Sequence, residues 1–392
     1  MSERIYLDYA ATTPLRPEAK EAMEPWLARE YGNPSSLYLE GRRAKDAIDA
    51  AREVVSNALG CLFGEIVFTS SGTEACNLAM FGCAYGAVER RRFLVSKADH
   101  HAVVHTRHSI ERLTSVTGLE LVYEQFLVDS YGRPDLEVLC RQTGGDTVLV
   151  AAMHANNELG TITYPAEIAD IAHQYNASYF CDAVQTFPWC NGKRWTVDEL
   201  GADLLAVSAH KLGGPKGVGA LYVRSGTRIE PTMVGGGQER EMRAGTENVA
   251  AIVGFAAAVQ ASLKDTTQDE RKRKARDTFR RALIEEDTPR LHLMPEMPDM
   301  LPGHCHLRFE GVSAESLLIL LDRLGVSASA GAACSSGSIE PSHVLLACGW
   351  SEKEASEGVR FTFGPQTSLQ EAREAASRVA EAARNIAASR DS

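Results

Sequence analysis

The chain has 392 residues, of which 44% are hydrophobic and 24% charged, a composition typical of a soluble globular protein with roughly two or three domains. Its 52 acidic and 41 basic residues give a net charge of −11, which argues against broad nucleic-acid binding because that requires a basic surface. The nine cysteines lack the density and spacing of a disulfide framework, and the sequence shows no apolar leader and no long apolar run. We therefore expect a reduced, cytoplasmic protein with no membrane partner and no direct nucleic-acid partner.

Short apolar runs alternate with helical stretches between about residues 65 and 225. The predicted strands are 65–70, 93–96, 147–153, 178–181, 204–207 and 220–223, and the predicted helices are 74–86, 101–113 and 165–175. Continuously apolar strands are buried on both faces, and the intervening helices supply the crossovers that a parallel sheet requires. The fold class is therefore predicted to be α/β.

The rest of the chain predicts a second, smaller α+β domain. A charged helix at about 264–287 and a proline-rich loop are followed by a strand at 306–309, a helix at 314–324 and a terminal helix at about 368–388. We predict a large domain over 15–260, and a small domain made of 1–14 and 261–392.

Two of the predicted strands lead into segments that could bind an anion or a ligand. The strand 65–70 runs into a Ser-Gly-Thr turn and a helix, and the free amides of a helix N-terminus hold phosphate well. An ordinary capped helix explains this turn equally well. Asp182 follows the run 178–181, where a carboxylate points into the crevice in which α/β sheets bind ligands.

Lys211 follows the strand 204–207 and precedes a glycine-rich loop. It has three readings: a surface lysine, a phosphate contact, or a Schiff-base nucleophile. The last requires that burial or a nearby cation destabilise its ammonium form.

In combination, nine segments resemble the NifS/IscS-type cysteine desulfurases of the class V aminotransferase group. The segments are 6–14, 32–36, 70–75, 154–160, 181–185, 208–211, 235–240, 243–246 and 333–338. The resemblance implies a fold-type I transferase that depends on pyridoxal 5′-phosphate (PLP), with a mixed, mostly parallel sheet flanked by helices in its large domain.

The resemblance also implies roles for individual residues. Lys211 would bind PLP covalently and later act as the base, Asp182 would pair with the pyridinium nitrogen, and His100 would stack on the ring. Gln185 and Asn157 would reach the ring oxygen and the substrate carboxylate region, although the sequence leaves open which of Asn156 and Asn157 faces inward.

The phosphate of PLP would be bound by residues from two of the matching segments. These residues are Gly72, Thr73, Ser208 and His210. Thr246 resembles the threonine that reaches the phosphate of the neighbouring subunit, so a homodimer is part of the prediction.

Arg360 resembles the arginine that binds the substrate carboxylate, with Asn33 assisting. A guanidinium matches a carboxylate bidentately, whereas the alternative, a surface ion pair, would contribute little.

Cys334 lies in a stretch of Gly, Ala and Ser residues that offers little apolar material to bury it, although isolated cysteines are more often buried. The resemblance makes Cys334 the nucleophile that attacks the substrate's sulfur, in its thiolate form.

The implied reaction converts L-cysteine to L-alanine and leaves a persulfide on Cys334, for transfer to a protein acceptor such as a scaffold or thiolation protein. Iron–sulfur assembly, tRNA thiolation and DNA phosphorothioation all remain open as destinations. Two alternatives remain. The first is a related PLP enzyme, either a selenocysteine lyase or another elimination or transamination enzyme. The second is a catalytically silent partner that keeps the fold.

No metal site is predicted. His101, His105 and His108 have helical spacing, but no carboxylate or cysteine completes a ligand set, so a solvated helix face is favoured. The cluster at 304–306 is expected to open a strand, where adjacent side chains point to opposite faces.

Overall fold

The computed structural model describes residues 4–117, 120–294, 299–331 and 340–390. Within these ranges the strands are β1 (Ile5–Tyr6), β2 (Ile66–Thr69), β3 (Arg92–Ser96), β4 (Val122–Phe126), β5 (Thr147–Ala151), β6 (Ser178–Asp182), β7 (Leu204–Ser208), β8 (Gly219–Val223), β9 (Leu291–Leu293), β10 (His304–Phe309), β11 (Val326–Ser327) and β12 (Gly358–Thr362). The helices are α1 (Pro17–Ala28), α2 (Leu39–Leu59), α3 (Gly72–Gly86), α4 (His101–Val104), α5 (Arg107–Thr117), α6 (Leu136–Gln142), α7 (Pro165–Gln174), α8 (Val249–Lys264), α9 (Gln268–Glu285), α10 (Ala314–Arg323), α11 (His343–Ala347), α12 (Glu352–Ala355) and α13 (Leu369–Arg390).

The largest sheet has seven strands in the order β2-β8-β7-β6-β5-β3-β4. Five neighbouring strands, β4, β3, β5, β6 and β7, run parallel to one another. Strand β8 is antiparallel to both of its neighbours, β7 and β2. Every residue of β2 and β7 is buried, as expected for strands covered on both faces. The prediction of a mixed, mostly parallel sheet flanked by helices is confirmed.

Two hydrophobic cores cover the two faces of this sheet. Val67 packs with α3 on one face, whereas Phe68, the next residue of β2, packs with α2 and α8 on the other, because neighbouring side chains of a strand point to opposite faces. The parallel strands β6 and β7 end at Asp182 and Ser208. Both side chains therefore emerge at the carboxyl edge of the sheet.

A third hydrophobic core is built around two smaller sheets. One is the antiparallel sheet β12-β10-β9, and the other is the parallel pair β1-β11. This core joins Leu7, near the start of the chain, with Phe279 of α9, Leu317 of α10 and Val379 of α13. Separate cores support the predicted division into 15–260 and 1–14 with 261–392, which stays a prediction.

Two of the differences from the prediction have a visible physical cause. The helix predicted over 101–113 is divided into α4 and α5, and at the break Thr106 Oγ1 donates to the Val103 carbonyl at 2.6 Å. Side-chain hydrogen bonds of this kind compete with the helical backbone pattern. Strand β4 was not predicted, because it is an edge strand in which only Tyr123 and Phe126 are buried, so its sequence is not a continuous apolar run.

No single helix of the described ranges has the length and apolar character needed to cross a membrane. The pair α8 and α9 meets those criteria only when joined, and the two helices are bent by 76° at the break between them.

Candidate active site

A cavity of about 460 Å³ opens at the carboxyl edge of the parallel strands, a volume in the range of small-molecule sites. The predicted site residues that line it are Gly72, Thr73, His100, Asn157, Asp182, Gln185, Ser208, His210, Lys211 and Arg360. These side chains come from distant parts of the sequence, and the sheet edge brings them together.

Lys211 lies in a short 3-10 helix directly after β7. Its Nζ donates to the carbonyl oxygens of Ala10 and Ala11, the latter at 3.1 Å. Burial, followed by the nearby Arg360 guanidinium, lowers the pKa of Lys211 to about 8, while the Asp182 carboxylate opposes this shift. A lysine with a lowered pKa has a larger neutral fraction, which is the nucleophilic form.

Asp182 is 7% exposed and lies at the end of β6. Its Oδ1 accepts a hydrogen bond from the Val184 amide at 3.0 Å, and its Oδ2 faces the Cys76 thiol at 3.8 Å. Burial raises the pKa of Asp182. A buried carboxylate of this kind favours pairing with a cationic group in the cavity. Gln185 Nε2 is close by and donates to the Ala10 carbonyl at 3.1 Å.

The N-terminus of α3 forms another wall of the cavity. A Cβ at Gly72 would lie 3.0 Å from Val184 Cγ2 and 3.2 Å from Ser208 Cβ, so glycine keeps this space open. Ser208 is 2% exposed, and its Oγ has no hydrogen-bond partner within the described ranges. Because buried hydroxyls are normally paired, an anion bound beside Ser208, Thr73 and His210 would supply the missing partner.

His100 caps α4, and its Nδ1 accepts a hydrogen bond from the Ala102 amide at 3.1 Å. Burial, followed by the charge of Lys211, lowers the pKa of His100 to about 4. The imidazole is therefore neutral at neutral pH, and a neutral ring on the cavity wall can stack on an aromatic ligand.

The solvated helix face predicted for the neighbouring histidines is wrong for His101. This residue lines the cavity, and its ring centroid lies 4.3 Å from those of both His105 and His343. Within the part of the chain that the structure describes, no group of His, Cys, Asp and Glu residues is arranged to hold a metal ion.

Arg360, in β12, is 3% exposed and reaches the cavity from the third core. Its Nη1 donates to the Asn157 carbonyl at 2.8 Å, and its Nη2 donates to Asp8 Oδ1 at 2.7 Å. Nε has no partner among the described residues. The surface ion pair considered from the sequence is therefore wrong, because Arg360 is buried.

The structure distinguishes the two adjacent asparagines. Asn156 Nδ2 donates to the Ala98 carbonyl at 3.0 Å, and its Oδ1 accepts from the amides of Glu158 and Leu159 at 2.9 Å. Its side chain is thus committed to the turn, whereas Asn157 lines the cavity.

Three predicted residues are not among those that line the cavity. Asn33 is exposed, and its Oδ1 accepts from the Ser35 amide at 2.9 Å. Thr246 is also exposed. Cys334 lies outside the described residues. The roles of all three stay predictions.

Thr246 follows a segment with an unusual backbone. Glu239, Arg240 and Glu241 have φ values of 45°, 56° and 66°, a region that residues other than glycine rarely adopt. A buried ion pair holds the segment, because Glu239 Oε1 lies 2.6 Å from Arg52 Nη2. Thr246, five residues after this segment, is exposed on its own chain.

The sequence did not reveal the roles of three residues in the cavity. Asp8 belongs to the matching segment 6–14, so that segment was an available signal for it. Cys76 directly follows the segment 70–75 and is 1% exposed. The Ala10 carbonyl, which accepts from both Lys211 and Gln185, is a backbone group and leaves no signal in the residue type.

Comparison of the chain with known protein families identifies the class of protein that this fold and this cavity define. The sequence model that describes the class V aminotransferase family matches residues 5–374 of this chain. The chain therefore belongs to the class V aminotransferase family, which confirms the resemblance predicted from the sequence.

Similar proteins cover nearly the whole chain. The cysteine desulfurase IscS of Dictyoglomus turgidum is 43% identical over 373 residues, which are 95% of this chain and 92% of that protein. A NifS-like protein of known structure superposes with a TM-score of 0.87 at 31% identity, covering 96% of this chain and 98% of its own. The structure of SspA in complex with cysteine superposes with a TM-score of 0.78 at 30% identity, covering 93% and 100%.

Family membership confirms PLP as the cofactor. The cavity residues fit this group, because an amine with a lowered pKa, a buried carboxylate and a neutral imidazole line one cavity. The unpartnered Ser208 hydroxyl beside the open space at Gly72 fits the phosphate.

The lowered pKa of Lys211 predicts a pH dependence that can be measured in cofactor-free protein. Amine-labelling reagents react with the neutral form, and burial destabilises the charged form, so labelling should rise with a midpoint near pH 8. Competitive labelling followed by mass spectrometry of the Lys211 peptide measures this midpoint. In urea-unfolded protein the midpoint should return towards the ordinary value of 10.5. Equal midpoints in both states would contradict the burial argument.

Proposed function

We propose that this protein is a cysteine desulfurase that converts L-cysteine to L-alanine and leaves a persulfide on Cys334. The observation that carries the proposal is the convergence of Lys211, Asp182 and Arg360 on one cavity, in a chain 43% identical to a cysteine desulfurase. The structure of SspA in complex with cysteine also supports cysteine as the ligand here.

In this proposal the cavity residues bind the substrate and control its protons. PLP, when bound, supplies an electron sink for the negative charge that develops on the substrate's α-carbon. Asp182 keeps the pyridine nitrogen protonated, and the Lys211 amine takes the α-proton. Arg360 lines the cavity and would bind the substrate carboxylate, with Asn157 beside it.

Sulfur transfer requires one bond to break and one to form. The Cys334 thiolate attacks the sulfur of the substrate, the carbon–sulfur bond breaks, and the new sulfur–sulfur bond leaves a persulfide on Cys334. The β-carbon gains a proton in place of the sulfur, the α-carbon regains the proton that Lys211 removed, and the product leaves as L-alanine. A protein acceptor then takes the persulfide sulfur, in a reducing compartment such as the cytoplasm. The eight cysteines that the structure describes are all free, which is consistent with that environment.

The proposed enzyme is a homodimer in which Thr246 reaches the phosphate site of the second copy. Two observations support this arrangement. Thr246 is exposed on its own chain, and large apolar side chains, including Val234 at 79% and Leu37 at 89% exposure, are available to an interface.

Replacement of the nucleophile tests the function. Cys334→Ser should lower L-alanine formation from L-cysteine by roughly three orders of magnitude or more, while the visible absorbance of bound PLP is retained. Amino-acid analysis measures the product. Cys140→Ser is the matched control, because Cys140 is an exposed free cysteine that does not line the cavity. Undiminished alanine formation by the Cys334 variant would refute Cys334 as the nucleophile.

A further inference from the structure

A buried cysteine, Cys76, lines the cavity. Cys76 is in the first turns of α3 and is 1% exposed. Its Sγ faces Asp182 Oδ2 at 3.8 Å, a long contact that suits the weak donor character of a thiol. Oδ1 of the same carboxylate is held by the Val184 amide. The Cys76 thiol therefore contacts the oxygen of Asp182 that the backbone leaves free.

We infer that Cys76 is a positioning residue for Asp182: its neutral thiol donates to Oδ2 and fixes the carboxylate in the orientation that meets the cofactor's ring nitrogen. The inference rests on the role proposed for Asp182. It assigns no catalytic step to Cys76, which acts through its neighbour.

The surroundings of Cys76 keep its sulfur protonated. Burial raises the pKa of the thiol well above its usual range, and the negative charge of Asp182 adds to this effect. Because the thiolate is the reactive form, Cys76 remains a donor and does not act as a second nucleophile in the cavity.

A weak donor suits this position. Hydrogen bonds to a carboxylate stabilise its charge and reduce its basicity, so a charged donor would weaken the hold of Asp182 on the proton of the ring nitrogen, whereas a neutral thiol or hydroxyl has a smaller effect. A thiol orients the carboxylate with a smaller effect of this kind. Burial can then keep the pKa of Asp182 raised.

Infrared spectroscopy of the holoenzyme tests the contact directly. The difference spectrum between the wild type and Cys76→Ala isolates the S–H stretch of this one thiol. In Asp182→Asn the band should move to higher frequency, because a neutral amide oxygen is a weaker acceptor than a carboxylate. A band at the same frequency in both backgrounds would overturn the inference.

The rate of PLP loss from the holoenzyme tests the positioning role. Cys76→Ala should release PLP roughly threefold to tenfold faster, whereas Cys76→Ser, which keeps a donor, should stay within about twofold of the wild type. Cys83→Ala controls for packing alone, since Cys83 lies on the same helix, is buried and does not line the cavity. If the serine variant releases PLP as fast as the alanine variant, the thiol fills space only and the inference is wrong.

These measurements do not depend on sulfur transfer. A wild-type protein that forms no L-alanine, but shows the expected S–H shift and the rescue by serine, would overturn the proposed function and leave this inference standing. The opposite pattern would overturn the inference alone.

Discussion

Lys211→Ala is expected to lose both the covalent bond to PLP and nearly all desulfurase activity, by roughly three orders of magnitude or more. The structure gives the reason. The Lys211 amine lines the cavity and its pKa is lowered to about 8, and we propose that this one group supplies both the nucleophile that holds the cofactor and the base. No neighbouring lysine lines the same cavity within the described ranges.

Borohydride reduction followed by peptide mass spectrometry measures the covalent bond. The wild type should carry reduced PLP on the Lys211 peptide, and the alanine variant should carry none. Lys216→Ala is the matched control, because Lys216 is exposed on the same loop and does not line the cavity. Reduced PLP on another lysine of the Lys211 variant would show that this other lysine binds the cofactor covalently.

Arg360→Leu is expected to affect both stability and substrate binding. Arg360 and Asp8 form a buried ion pair at 2.7 Å, with 4% and 17% of their side chains exposed. Removal of one partner leaves the other charge buried, which costs roughly 3 kcal/mol or more in the free energy of unfolding. The substrate carboxylate also loses its bidentate partner, so KM for L-cysteine should rise.

A conservative variant and a double variant separate these two effects. Arg360→Lys keeps the positive charge beside Asp8 but not the planar fork, so it should raise KM with a smaller loss of stability. Asp8→Leu combined with Arg360→Leu removes both charges, and it should recover stability without recovering activity. Urea unfolding and steady-state kinetics measure the two quantities. An unchanged KM for L-cysteine in the Arg360→Leu variant would show that Arg360 does not bind the substrate.

The Arg360–Asp8 pair also shows how the site is assembled. Asp8 follows β1, Arg360 lies in β12, and the isolated bridge between Asp8 and Thr362 brings these two segments side by side. Residues 8–11 therefore complete a cavity whose other walls come from the edge of the seven-stranded sheet and from Ser329, Gly331 and Arg360. Loss of this pair should disturb both the third core and the cavity.

The sequence by itself determined the central strands and the residues at their ends. Continuous apolar runs predicted β6 and β7 because strands buried on both faces need apolar side chains throughout. Asp182 and Lys211 were candidates because they follow such strands, but only the family resemblance of the combined segments implied their roles. Their residue types and spacing also carried the family resemblance. All of this information is local, so it can be read along the chain.

The tertiary structure alone decided which groups meet and in what state. The lowered pKa of Lys211 depends on burial and on Arg360, which is far away in the sequence. The choice of Asn157 over Asn156, and the contact between Cys76 and Asp182, likewise depend on how the turn and α3 pack. Propensity and periodicity describe neighbours along the chain, whereas desolvation and charge coupling depend on distances in space, which only the folded topology sets.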